Sequence, residues 1–393
     1  MLETEKNTDC KRKPLILFSP LDWGLGHTTR CIPLIKAFQK RGFHIVVACN
    51  STQKNLLQAE IYGLQFTNLE GYNVQYGTGS ILTRLKIISQ IGNILIRIKQ
   101  ENRWLSNFLL KNKVDAVLSD NRYGFFHPFV PSIFLTHQLQ PNTGFGKLLN
   151  RFVQRFLYTY INRFSVCWVP DSENLQFSLA GKLSHPSNSP AIPVTYIGNL
   201  SRFADPPAGD TSFRYELLVV LSGPEPQRSI FERLVFADLN NSESRERLNL
   251  PATQKKIIIV RGKPGEVSNF PQAPTGVECH NHLDTKTLES VAINSRYVLC
   301  RPGYTSLMDM VKLKKKMILV PTPGQGEQEY LAEYFQKNKY APAILQQQFS
   351  LQHALTLAHN FPYVLADVTT NRYEEIVAEF INSLLLNNAP RKV

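Results

Sequence analysis

The stretch KPLILFSPLDWGLGHTTR, residues 13–30, decides the architecture. Residues 13–19 are an apolar run of strand length without polar alternation, the pattern of a strand buried on both faces. A turn holding Gly24 and Gly26 follows, and a helix is predicted over about 28–41 with Thr28 as its cap. Strand, glycine turn and helix make the opening unit of a parallel sheet, and ligands of such sheets collect at the carboxyl ends of the strands.

Outward from that unit the pattern repeats. Residues 44–49 (HIVVAC), 63–69, 114–120 (VDAVLSD), 132–137 (SIFLTH) and 165–170 (SVCWVP) read as further strands between helical segments. A second series follows at 216–222 (ELLVVLS), 256–261 (KIIIVR), 297–301 (YVLCR) and 317–321 (MILVP). Between the two lie 185–193 (HPSNSPAIP) and 205–210 (DPPAGD), both of loop composition. The expected fold is α/β, with two Rossmann-like domains whose parallel sheets face a cleft. Residues 1–200 form the first domain and 201–370 the second, and a C-terminal helix over 371–393 is expected to pack back on the first. A length of 393 residues suits two or three domains of roughly 150 residues each.

With 43% hydrophobic and 19% charged residues the chain can bury sizeable cores, which excludes a disordered chain. Its six cysteines (10, 31, 49, 167, 279 and 300) are scattered without a CxxC pair. Free thiols of a cytoplasmic protein are expected, rather than a disulfide scaffold or a zinc ribbon. No apolar run reaches about 18 residues, as a spanning helix requires, and the polar start MLETEKNTDCKRKP has no secretory h-region. The net charge of +13 is uneven: residues 1–200 hold 22 Lys and Arg against 11 Asp and Glu, and 201–393 hold 22 against 20. An anionic partner is therefore expected to meet the first half.

Two constellations carry candidate chemistry. In the first, His27 ends the glycine turn and can take a proton near neutral pH. Gly24 and Gly26 allow close approach of a ligand on the acceptor side. Asp120, ending the strand 114–120, can hold the His27 tautomer and stabilise its imidazolium; the plainer alternative is a turn-capping Asp beside a solvated His. His137, ending 132–137, is a further acceptor-side candidate or a packed histidine.

The second constellation is CRPGYTSLMD, residues 300–309, followed by the strand 317–321 and the loop PGQGEQE, residues 323–329. Gly303 starts a helix whose first turn offers the Thr305 and Ser306 hydroxyls and bare amides to a phosphate. Asp309 is placed to accept from ribose hydroxyls, and Gln328 and Glu329 from a sugar. Two ordinary helix starts are the alternative.

At these residues the sequence resembles family 28 glycosyltransferases, a group that includes the enzyme adding N-acetylglucosamine to the peptidoglycan lipid intermediate and plant monogalactosyldiacylglycerol synthases. The segment GLGH, residues 24–27, resembles the family's N-terminal glycine loop. GNLSR, residues 198–202, resembles its GNPxR linker with Leu200 in place of proline, which implies that Arg202 reaches the donor. SGPEPQR, residues 222–228, resembles its GGSxGAR phosphate loop. The resemblance places Ser222, Gly223 and Arg228 at the donor, although Pro224 and Pro226 remove amide donors. Residues 301–309 and 325–329 resemble the signature block, which carries over Arg301, Tyr304 and Gln325 with the residues named above. Asp309 stands where the family has a glutamate. The resemblance implies a GT-B fold and inverting transfer of a hexose or N-acetylhexosamine from a nucleotide diphosphate sugar, usually UDP, with no bound metal and no other cofactor. The chain also has no DxD motif to hold Mg²⁺, so helix N-termini and arginines are expected to stabilise the leaving diphosphate.

On the acceptor side, 81–99 (ILTRLKIISQIGNILIRIK) interleaves an apolar face with basic residues. A second helix predicted over 145–164 sets Leu148, Leu149, Phe152, Phe156, Tyr160 and Phe164 on one stripe, with Lys147, Arg151, Arg155 and Arg163 in a row beside it. Such helices suit peripheral contact with an anionic membrane and a lipid-linked or glycan acceptor; a core stripe with a solvated face is the alternative. Two other functions compete. A GT-B-type nucleotide-sugar epimerase needs cleft carboxylates acting on the sugar, for which only Asp120 is evident. A non-enzymatic basic binder of anionic polymers leaves 300–329 unexplained, and no nucleic-acid-binding motif is present.

Overall fold

The computed structural model describes residues 12–72, 89–206, 213–241, 257–266, 275–366 and 372–388, with residues 74, 77, 79, 86, 243 and 368 between them. Twelve strands among the described residues form two parallel sheets. In the first, β1 (Leu15–Pro20), β2 (His44–Cys49), β3 (Gln65–Asn68), β4 (Ala116–Asp120), β5 (Ser132–Leu135), β6 (Val166–Val169) and β7 (Val194–Tyr196) take the order β3-β2-β1-β4-β5-β6-β7. In the second, β8 (Tyr215–Val220), β9 (Ile257–Val260), β10 (Val277–His280), β11 (Ser295–Cys300) and β12 (Lys316–Leu319) take the order β10-β9-β8-β11-β12. Two strands had no counterpart in the sequence reading: β7, three residues long, and β10, a mixed polar segment VECH at a sheet edge.

The apolar runs are buried on both faces. Ile16, Phe18, Ile45 and Leu118 point into one cluster, and the alternate Leu17, Val46 and Val117 into another on the opposite face. The second sheet divides likewise, with Leu218, Ile258 and Val298 on one side and Leu217, Ile257 and Leu299 on the other. The first cluster does not stop at the domain boundary: it runs from Ile32 and Ile35 of α1 (Leu25–Lys40) to Leu307 and Met308 of α7 (Tyr304–Lys312). It then continues to Val377, Ile381 and Leu384 of α10 (Arg372–Asn388), which lies on the N-terminal sheet with Phe380 edge-on to Trp168 and Phe38.

The remaining helices are α2 (Ser51–Glu60), α3 (Ile91–Lys111), α4 (Lys147–Ile161), α5 (Gln227–Asn240), α6 (Thr285–Ile293), α8 (Gly326–Lys337) and α9 (Leu351–Asn360). Of the predicted helix 81–99, residues 81–85, 87 and 88 lie outside the described residues. The five described cysteines are free. Among the described residues, no helix is long and apolar enough to cross a membrane.

Candidate active site

Helix α1 begins at Leu25, three residues before the predicted start, with Gly24 at the N-cap in the left-handed region (φ +85°). Only a glycine takes that turn without strain. The cap role expected of Thr28 is therefore corrected: Thr28 is buried and its hydroxyl accepts from Gln53 Nε2 at 3.1 Å. The early start puts His27 in the first turn, and Arg30 shares its face one turn later.

Asp120 ends β4 directly beside the end of β1, in register with Pro20. It is fully buried and collects four donors from α1, one of them the Cys31 thiol, 3.7 Å from Oδ2. Arg30 binds it through Nε at 2.8 Å and through a second, very short contact from NH2, and His27 Nδ1 lies 3.1 Å from Oδ1. Burial alone would raise the Asp120 pKa, but the Arg30 charge and the hydrogen bonds from Arg30 and His27 outweigh it and hold the carboxyl at about 2. Arg30 NH2 also lies 2.9 Å from His27 Nδ1. One ring nitrogen cannot accept from Arg30 and donate to Asp120 together. We assign the ring proton to Nδ1, because the ionised carboxylate is the stronger partner and Arg30 is already satisfied on it. Nε2 is then the unprotonated nitrogen, and the His27 side chain keeps 16% exposure through which to meet a substrate.

The two halves touch at this place. Thr305 Oγ1, in the first turn of α7, donates to the Gly26 carbonyl at 3.1 Å. Asn142 Nδ2 donates to the carbonyl of Gly326, where a Cβ would lie 2.3 Å from the Asn142 carbonyl oxygen. Of the two readings of His137, an acceptor-side contact or a packed histidine, the burial fits the second: it is 3% exposed and bridges the halves. Its ring stacks on Tyr304 with centroids 4.1 Å apart, Nδ1 lies 3.1 Å from Arg30 NH1, and Nε2 lies 2.9 Å from Glu327 Oε1. A guanidinium only donates, so Nδ1 is the acceptor and Nε2–H donates to Glu327. Burial lowers the His137 pKa, in keeping with this neutral tautomer.

Several expected donor contacts are spent inside the protein. Asp309 is buried: Oδ1 accepts from Ser201 Oγ at 2.7 Å and Oδ2 from Arg202 Nε at 3.3 Å. Asp309 and Arg202 thus fasten the interdomain segment to α7, as does Asn199 Nδ2 on the Met308 carbonyl. Burial raises the Asp309 pKa against the pull of Arg202. Arg228 binds Glu225, Glu232, Ser229 and the Arg261 carbonyl, so it braces α5. Gln328 Oε1 accepts from Thr322 N, and Glu329 Oε1 from Gly324 N, which shapes the loop before α8. Each is a polar side chain that found backbone or an opposite charge nearby; for Arg228 the partners stand at i−3 and i+4, whereas the Asp309–Arg202 pair spans 107 residues and no local spacing reveals it.

The polar groups not spent in this way mark a seat for an anion. Helix α7 starts at the N-cap Gly303 without a side-chain cap, so its first-turn amides carry no capping partner. The amides of Tyr304, Thr305 and Ser306 belong to that turn. Arg301 is fully buried below it, with its guanidinium over the Phe231 ring at 4.3 Å and on the carbonyls of Val320, Pro321 and Gln227. Its NH2 also donates to Gln346 Oε1; among the described residues no carboxylate pairs with it and its Nε alone has no hydrogen-bond partner, and burial lowers its pKa to about 9. The side-chain oxygens Gln227 Oε1, Thr322 Oγ1 and Gln325 Oε1 are likewise buried without partners. Gly223 (φ +100°) and Ser222 lie in the turn before α5, and Gln227 Nε2 crosses to the Gly77 carbonyl at 2.7 Å. Among the described residues, no three metal-ligating side chains converge.

A groove of about 530 Å³ lies elsewhere, between α10 and β5–β7, lined by Trp168, Ile376, Phe380 and Leu384. It is apolar and far from the paired imidazoles, so we place the chemistry at the junction of the halves. Arg30 and Glu327 were not singled out by sequence reasoning. The signal for Arg30 was its i+3 spacing from His27 on the same helix; none existed for Glu327, whose partner is 190 residues away.

Residues 237–383 match the glycosyltransferase family 28 C-terminal domain. No curated protein matches the chain. Among solved structures, the glycotransferase of kitacinnamycin is similar at 13% identity over 95% of each chain, with a TM-score of 0.58. UGT2 of Phytolacca americana, complexed with UDP-2fluoro-glucose and pterostilbene, is similar at 12% identity over 94% of each chain (TM-score 0.56). The glycosyltransferase SnogD of Streptomyces nogalater is similar at 13% identity over 94% of this chain and 99% of its own (TM-score 0.54). At these identities the likeness is one of fold.

Proposed function

The chain joins a glycosyltransferase family 28 C-terminal domain to an N-terminal Rossmann-like half in a GT-B fold, and on that premise we propose that it is an inverting, metal-independent transferase using a UDP-sugar. The observation that carries the proposal is the His27–Asp120 pair held against the uncapped start of α7. The acceptor oxygen attacks the anomeric carbon, and its proton passes to His27 Nε2. The C1–O bond breaks, with its electron pair leaving on the diphosphate. A single displacement inverts the anomeric centre. The first turn of α7 and the field of Arg301, whose guanidinium meets neutral acceptors, favour the departing negative charge. Thr322 and Gln325 supply the unpartnered oxygens that a sugar hydroxyl would satisfy.

The acceptor reading is a hydroxyl on a lipid-linked or glycan molecule at a cytoplasmic membrane face. It is supported by α4, whose preceding loop meets Gly326 at the junction of the halves. Calorimetric titration with UDP, GDP and dTDP, without added metal, tests the donor. Selective UDP binding is the expected result, and no binding of any nucleotide would overturn the proposal. His27→Ala is expected to keep UDP binding and lose transfer; full turnover in that variant would remove His27 as the base.

A further inference from the structure

Five side chains make an unbroken path between the halves: His27, Asp120, Arg30, His137 and Glu327. The groups facing this path can be followed element by element. From α1 come the Arg30 cation and Cys31, whose thiol burial holds neutral. Strand β4 gives the Asp120 carboxylate, and the end of β5 gives neutral His137. From α7 comes Tyr304, whose phenol is also held neutral by burial. Helix α8 gives Glu327, which burial works against but which the hydrogen bond from His137 and the Arg30 cation hold below the usual carboxylate range. With both imidazoles neutral, two carboxylates face one guanidinium. The path then carries one net negative charge, with Asp120, Arg30 and His137 buried between the partly exposed His27 and Glu327, where charges act more strongly than in water.

Arg30 cancels Asp120, so the surplus charge is that of Glu327. When His27 takes the acceptor proton, the path becomes neutral. We propose that Glu327, on the donor half, is a positioning residue for the base on the other half: acting through His137 and Arg30, it raises the proton affinity of His27. This inference rests on the assignment of His27 as base. It also explains the place of the contact. Glu327 reaches His137 only while the halves lie together, so a cleft opened at α8 leaves the path neutral before the proton arrives and weakens the base.

The test is the titration of His27, followed by the Cε1–H resonance in protein labelled at its nine histidines and assigned by loss in His27→Gln. Glu327→Gln keeps the acceptor oxygen for His137 and removes the charge. Loss of an opposite charge stabilising the imidazolium is expected to lower the His27 midpoint by about one unit and to move the acid limb of kcat/KM the same way. Glu327→Ala, which removes the contact as well, gives an independent reading of the midpoint in the same direction. A residue that only held the halves together, or only bound sugar, would change Tm or donor KM and leave the midpoint in place. An unchanged or raised midpoint in both variants overturns the inference. The base assignment fails separately, if His27→Ala retains turnover.

Discussion

Asp120 is fully buried among four donors of α1, so its stability contribution and its chemistry are inseparable. Its folded pKa of about 2 lies below its ordinary value of 3.8. Its stabilisation is therefore complete above about pH 4 and is lost as pH falls through about 2, amounting to about 2 kcal/mol. Asp120→Asn removes that contribution and leaves Arg30 buried without a counter-charge, which costs about 3–5 kcal/mol at neutral pH. It also frees His27 to take its ring proton on Nε2, and transfer is expected to fall about 10³–10⁴-fold. Denaturation followed from pH 7 to pH 2 checks the first effect: the gap between the Asp120→Asn variant and wild-type protein should narrow only below about pH 4. Single-turnover transfer checks the second; unaltered rates would show that Asp120 serves only Arg30. The sequence indicated His27 and Asp120 because both end strand units that a parallel sheet must bring together. It could not indicate how Asp309 and Arg202 are used, because they meet 107 residues apart in sequence; Arg228, by contrast, has its partners Glu225 and Glu232 at local helical spacing.

At the scale of elements, α4 departs from the rule that a helix buries its apolar stripe. Gln154 and Ile161 face inward, whereas Leu148, Leu149, Phe152 and Phe156 are exposed beside Lys147, Arg151 and Arg155. The core-stripe alternative thus fails for those four residues, and Phe164 alone of the predicted stripe is fully buried. Ile91 and Ile96 of α3 are exposed as well. Burying Leu148 and Phe152 in a bilayer interface is worth about 1.5–3 kcal/mol each. Leu148→Glu with Phe152→Glu is therefore expected to cut binding to phosphatidylglycerol vesicles at least about tenfold, with UDP binding intact. Wild-type binding should weaken with salt, since the basic row is screened. Equal flotation of the variant and wild type would sink the membrane reading. The strands were legible from their apolar runs alone, because burial on both faces leaves no other pattern. Edge strands β7 and β10 were not, being short segments of mixed residues, although the edge strands β3 and β12 overlap segments read as strands, 63–69 and 317–321.

For the whole molecule, the continuity of the core sets the unfolding behaviour. Two Rossmann-like domains joined by one segment would ordinarily move and melt independently unless their interface is large and apolar. Here the largest cluster joins Phe18 and Ile35 to Met308 and Leu307 without interruption, and α10, encoded at the far end of the chain, closes it over Phe38 and Trp168. Asp309 ties the interdomain segment to α7, and the His137–Glu327 contact crosses at the site itself. Calorimetry is accordingly expected to give one transition whose calorimetric and van't Hoff enthalpies agree. Ile381→Ala, in α10, should cost about 2–4 kcal/mol through the cavity it leaves and should lower that one transition as a whole. Hydrogen exchange should then show protection falling in β8 and β11 as well as in β1 and β4. Two resolved transitions, with Ile381→Ala moving only one, would mean that the apolar contact between the halves is too weak to couple them.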